Sequence, residues 1–170
     1  IRDPKRHGGL ALVPLWFEAY EGEPDRAMAV LADFLELRRV FAAHLVAHRR
    51  DALLRAAPGL AVDVATLWSN PTLEALIDAD LSFSRRFLEA TGSFAAIALF
   101  QTVERLVREV PHVAEALYGD PEDHRQMVQR IAMLVTTESE PDRRAALLLE
   151  TLAAWDARVT ARFGQILAGS

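Results

Sequence analysis

The sequence predicts an all-α fold, an antiparallel bundle of six or seven helices, and three observations carry that expectation. Apolar residues recur at helical spacing nearly everywhere from Glu23 onward. No alternation of apolar and polar residues lasts more than a few positions, so no strand pattern is present. Proline, glycine and short polar clusters cut the chain into pieces of helical length, without an internal repeat. At 170 residues the chain is long enough for one domain with a substantial core.

Taken in order, a first helix is expected around Ala11 to Tyr20, its limits blurred by Pro14 and the aromatic cluster Trp16, Phe17 and Tyr20. The second runs from Pro24 to Arg50, with Met28, Leu31, Leu35, Val40 or Phe41, and Leu45 on one face. Pro24 suits its first turn, where a missing N–H costs nothing. The register loosens through Ala56-Ala57-Pro58-Gly59, so a third helix is expected only over Ala61 to Trp68. Ser69-Asn70-Pro71-Thr72 is a turn that starts a fourth, Thr72 to Ala90, stopped at Gly92. Ser93 is placed to N-cap the apolar stretch Phe94 to Val110, which Pro111 breaks. Two more helices, Asp120 to Thr136 and Pro141 to Ala168, follow loops at Tyr118-Gly119-Asp120-Pro121 and Glu138-Ser139-Glu140-Pro141.

Composition narrows the function. The 51% hydrophobic fraction is ordinary, and no apolar run approaches the roughly 18 residues of a membrane span, so no membrane partner is expected. The chain has no cysteine, which removes disulfides, thiolate catalysis and cysteine-ligated metals and suits a cytoplasmic setting. A net charge of −5 argues against this domain gripping nucleic acid itself. Residues 1–10 have neither a signal peptide's apolar core nor a helix start and read as a cut end and linker. Their basic cluster Arg2, Lys5, Arg6 and His7 is either a solvated tether or a phosphate contact.

Motifs of catalysis are missing: no GxSxG elbow, no GxGxxG, no phosphate-binding GxxxxGK[ST] and no HExxH. Asp78 and Asp80 stand two apart on a helix and cannot face each other, so one is expected inside and one outside rather than as an acid–base dyad. His44 and His48 have the i, i+4 spacing of a shared metal, but beside Arg49 and Arg50 a solvated pair is the simpler expectation. The unusual feature is polar residues interrupting apolar faces: Arg38, Asp80, Ser84, His124 and Trp155. Two readings stand. Converging inside a bundle, they would make a polar-lined ligand pocket, since buried charges need partners. Alternatively Arg38 points outward beside Arg39, and Asp80 merely pairs with a nearby arginine.

Three stretches resemble the effector-binding C-terminal domain (the FCD, or FadR C-terminal, type) of GntR-type transcription regulators. Asp3-Pro4 followed by Gly8-Gly9-Leu10 is similar to the close of the winged helix's hairpin. Leu35-Glu36-Leu37-Arg38-Arg39-Val40-Phe41 is similar to the family's arginine-bearing helix. Asp80-Leu81-Ser82-Phe83-Ser84, continuing to Ala90-Thr91-Gly92-Ser93, is similar to a helix the family writes as Asp, then Phe-His, then Ala-x-Gly-Asn. The resemblance implies that 1–10 is the remnant of a wing and linker, and that 11–170 is an effector-binding helical bundle. It also implies that the domain forms a homodimer and reaches DNA only through a winged-helix domain absent from this sequence.

Many relatives of that family hold a metal with that Asp, a His four residues later, and two His on the last two helices. Carried over, Asp80 is kept, Ser84 replaces the first His, His124 matches the second and the third falls near Ala153. Two of four ligands are gone, so no metal and no cofactor are expected. The loss, together with Leu149-Glu150-Thr151-Leu152-Ala153-Ala154-Trp155, points to the metal-free FadR branch, whose fatty-acid regulator senses long-chain acyl-CoA. The expected effector is therefore a small acidic or acyl molecule, a fatty acid or acyl-CoA among them. Its expected contacts are Arg38, Asp80, Ser84, Phe83, Phe87, Phe100, His124 and Trp155, with Asp80 held by Arg38 or another cation. No catalytic residue is expected. A TetR-type ligand domain, or a helical enzyme or adaptor outside transcription, are the alternatives.

Overall fold

The structure, a computed structural model, describes residues 12–20, 22–69 and 72–169. Among them are eight helices and no strand. The expected wing and linker remnant at 1–10 lies outside the described residues, as do Ala11, Asn70 and Pro71. The helices are α1 (Val13–Ala19), α2 (Pro24–His48), α3 (Arg50–Ser69), α4 (Leu73–Thr91), α5 (Phe94–Glu109), α6 (Pro111–Tyr118), α7 (Pro121–Thr137) and α8 (Pro141–Gly169).

Local chemistry explains most boundaries. Thr72, Ser93 and Asp120 are N-caps whose side-chain oxygens accept from the backbone N–H groups of Ala75, Ala96 and Asp123 at 3.2, 3.3 and 3.0 Å. Proline stands in the first turn of α1, α2, α6 and α7. Helix α4 closes on Gly92 at φ +67°, a left-handed conformation that glycine adopts without a Cβ penalty.

Two expectations need correction. Pro111 does end α5, but only Val110 intervenes before the same proline opens α6, a helix beyond those the sequence predicts. A residue that cannot continue a helix is well suited to begin one. Helix α3 starts at Arg50 rather than near Ala61 and runs through Pro58. Pro58 is exposed and offers no N–H to the carbonyl one turn back, yet α3 lies along α4 over an extended contact. Tertiary packing there outweighs a local cost of about 3 kcal/mol.

The last helix organises the bundle. α8 packs along α2 and also touches α6 and α7. Arg144 of α8 reaches Val46 and Ala47 of α2, whereas Asp156 reaches Arg38, so the two helices run antiparallel. The face of α8 against the others is Leu148, Leu152, Trp155, Val159 and Phe163, all buried at helical spacing. Three arginines bind helix C-termini through backbone carbonyls: Arg144 on α2, Arg50 on Val135 and Thr136 of α7, and Arg162 on Ala116 of α6. Cations there offset the negative end of the helix dipole and satisfy orphan carbonyls.

Candidate functional site

Between α2, α4, α5, α7 and α8 lies a cavity of about 470 Å³, to which α3 and α6 also contribute. All eight residues expected to touch an effector line it: Arg38, Asp80, Phe83, Ser84, Phe87, Phe100, His124 and Trp155. The tertiary fold thus brings together side chains separated by up to 117 positions.

Its two ends differ. One is polar, built where α2, α4, α6, α7 and α8 meet. Asp80 is buried on α4; Tyr118 Oη–H donates to its Oδ2 at 2.8 Å, and Nε2 of His124 lies 3.2 Å from its Oδ1. The imidazole stands between the rings of Tyr118 and Trp155, with centroids 4.8 and 5.8 Å away. The Arg38 guanidinium lies over the Trp155 indole at 4.9 Å and donates to Asp156 Oδ1 at 2.5 Å, while Arg39 holds Asp156 Oδ2 at 3.2 Å. The rest is apolar: Phe41 and Leu45 from α2, Phe83 and Phe87 from α4, Phe100 from α5, and Met127, Val128, Ile131 and Val135 along α7.

The expected partner of Asp80 was wrong in part. Arg38 does not bind it; Asp156 takes that guanidinium, and Asp80 is held by Tyr118 and His124. The cause is the helix arrangement, which sets α4 beside α6 at Asp80 and α8 beside α2 at Arg38. Burial pushes the Asp80 carboxyl up, but the facing His124, the Tyr118 hydrogen bond and the field of Arg38 together bring it below its ordinary 3.8. Burial, with Asp80 alongside, raises the Tyr118 phenol well above its usual range, keeping it a neutral donor. Asp156 is raised by burial despite its two guanidinium partners.

Asp78 faces outward and accepts from Arg108 at 3.0 Å, so the pair Asp78 and Asp80 divides between surface and interior as expected. His44 and His48 are exposed with ring centroids 4.6 Å apart. Neither they nor Ala153 line the cavity. Among the described residues, no three His, Asp or Glu side chains gather as a metal site. The metal ligand set that the family resemblance implied does not fit here, because Asp80 and His124 turn on each other and Ser84 supplies only a hydroxyl.

Sequence reasoning missed Tyr118, Asp156 and Arg39. The sequence predicts a loop at Tyr118, which instead ends α6. Asp156 carried a legible signal, since it falls beside Trp155 on the apolar face of α8, where an acid requires a cation.

Among the described residues, three nitrogens at the polar end have no hydrogen-bond partner: Arg38 Nε, Trp155 Nε1 and His124 Nδ1. Among the described residues the other buried nitrogens in that condition, apart from His124 Nε2 beside Asp80, belong to Trp16, Arg125 and Arg162, which do not line the cavity. Buried polar groups are nearly always satisfied, so these three are exceptions that set the polar end apart from the rest of the core. No family model, curated protein or solved structure matches this chain. No described helix is long and apolar enough to cross a membrane.

Proposed function

We propose that this chain is the ligand-sensing domain of a bacterial transcription regulator of the GntR type, FadR branch. It binds a small acidic or acyl effector inside the bundle and alters DNA binding by a winged-helix domain of the same protein. The observation that carries the reading is the cavity, an apolar chamber with one polar end on which seven of the eight helices converge. The domain binds its ligand and releases it unchanged; it acts as a homodimer in the cytoplasm, and its only contact with DNA is through its partner domain.

A ligand shared by α2, α4, α7 and α8 couples their positions. It biases the protein toward whichever helix arrangement it contacts better, and toward no other, because a shift in equilibrium requires unequal affinity for the two states. The linkage to DNA then resides in movement of α2 and α4 relative to α8.

Native mass spectrometry of the purified protein is the first test, with a displaceable small molecule as the expected finding. The second is to read the coding sequence around this domain and measure operator binding of the encoded protein with and without that molecule. A winged helix and a ligand-dependent change in operator affinity are expected. A catalytic domain in its place, or an operator affinity indifferent to every cavity ligand, would overturn the regulator reading.

A further inference from the structure

On the outer face of α2 we propose that His44 and His48 form a two-imidazole site for a divalent metal ion of square-planar habit, copper(II) first among them. The site is separate from the cavity and from the ligand set at Asp80, and it rests on neither the effector nor the DNA-binding reading.

The two residues stand at i and i+4, one turn apart near the end of α2, so their side chains rise from the same face of the helix. Both are exposed. Neither imidazole has a hydrogen-bond or ion-pair partner among the described residues, so no internal contact has to be broken before an ion is bound. Two histidines one turn apart are the helical arrangement in which both imidazoles reach a single metal.

The spacing of the rings selects the metal. A ligating imidazole nitrogen stands about 2.0 Å from its metal and about 1.15 Å from the centre of its own ring, which puts each ring centre about 3.2 Å from the ion. Two such ligands at a right angle have ring centres about 4.5 Å apart, and two at the tetrahedral angle about 5.2 Å apart. The rings of His44 and His48 are 4.6 Å apart, tilted by 55°. That is the separation of neighbouring corners of a square, the geometry of copper(II) and nickel(II), rather than that of a tetrahedral zinc site. Both side chains being in solvent, a change of rotamer is all that aiming one nitrogen of each ring at a common ion requires.

The surroundings set the strength. Arg50 is turned away onto the carbonyls of Val135 and Thr136, and Arg39 onto Asp156. Arg49, exposed at the C-cap, opposes a cation, but in solvent that repulsion is screened. Among the described residues no third His, Asp or Glu completes the set. Water therefore fills the remaining positions, and the ion exchanges with solvent instead of being held as a structural metal.

Calorimetric titration of the chain with copper(II) chloride in a non-coordinating buffer is expected to show one site in the micromolar range, with zinc(II) at least about tenfold weaker. The electron paramagnetic resonance spectrum of the copper complex should be tetragonal, with coupling to two imidazole nitrogens. His44→Gln and His48→Gln should each weaken copper by about tenfold and leave coupling to one nitrogen, with an unchanged circular dichroism spectrum because both positions are exposed. His112→Gln removes an exposed histidine that has no other at i±4, and should change nothing. Zinc binding as tight as copper, copper binding that survives the loss of either histidine, or an equal loss in His112→Gln would overturn the proposal. So would uptake no tighter than millimolar, which a lone surface imidazole also gives.

Discussion

Arg144 and Arg38 both bind across the seam between α2 and α8, about two turns apart along α2, and they are satisfied to very different degrees. Arg144 is 1% exposed, and three of its nitrogens donate to the carbonyls of Val46, Ala47 and Glu138 at 2.9, 2.8 and 2.6 Å. It closes the C-terminus of one helix onto the start of another and leaves nothing for a ligand. Arg38 keeps 22% of its side chain exposed, shares Asp156 with Arg39 and has no hydrogen-bond partner for its Nε–H among the described residues. A guanidinium fully consumed by buried backbone serves stability, whereas one held by a carboxylate and a ring but not saturated contributes less to it. Burial alone would have ranked them the other way.

The comparison is most easily broken at Arg144. Arg144→Met removes three charge-assisted bonds and strands buried carbonyls, and is expected to cost about 3 kcal/mol in urea-induced unfolding. A cost below that of the corresponding change at Arg38 would refute the division of roles. Next in size is Tyr118→Phe, which removes the donor on Asp80 Oδ2 and leaves a buried acceptor unpaired, for about 1–2 kcal/mol in the same measurement.

A smaller effect, visible only in acid, separates Asp80 from the seam. Its carboxyl is held below 3.8 in the folded chain. The charged form is therefore the one that folding favours; its contribution is present above the ordinary carboxylate value and is lost as pH falls through the lower folded-state value. Melting temperatures taken between about pH 6 and pH 2.5 should fall less steeply for Asp80→Asn than for the unaltered protein. Parallel curves would mean that the Tyr118 and His124 contacts do not favour the charged form. The smallest stability change is expected for Arg38→Met, at or below about 1 kcal/mol, because Arg39 remains on Asp156 and the pair is partly solvated. If Arg38→Met instead unfolds the protein, Arg38 belongs with Arg144 as a structural residue.

The candidate site was partly legible. Arg38, Asp80, Ser84, His124 and Trp155 drew attention as polar interruptions of apolar helical faces, and Phe83, Phe87 and Phe100 as the apolar residues around them; all eight line one cavity. Pairing was not legible. Helical periodicity says that Asp80 points inward but not which helix it meets, so Arg38 was as reasonable a partner as the actual pair, Tyr118 and His124. Tyr118 escaped notice because Pro111 reads as a stop, and the short helix after it has no long periodic face of its own.

By itself the sequence determined the helical class and most helix boundaries, because caps, first-turn prolines and the left-handed Gly92 act within a turn or two of backbone. It also determined which faces turn inward, since apolar spacing at a period of 3.6 depends on no distant partner. Only the tertiary structure decided that α3 continues through Pro58, that Asp156 rather than Asp80 holds Arg38, and that Tyr118 and His124 close on Asp80 at one end of an apolar cavity. Each of these depends on which helices lie side by side. That choice is made by the packing of whole faces, and by the demand of every buried charge for a partner, over separations that no local pattern spans.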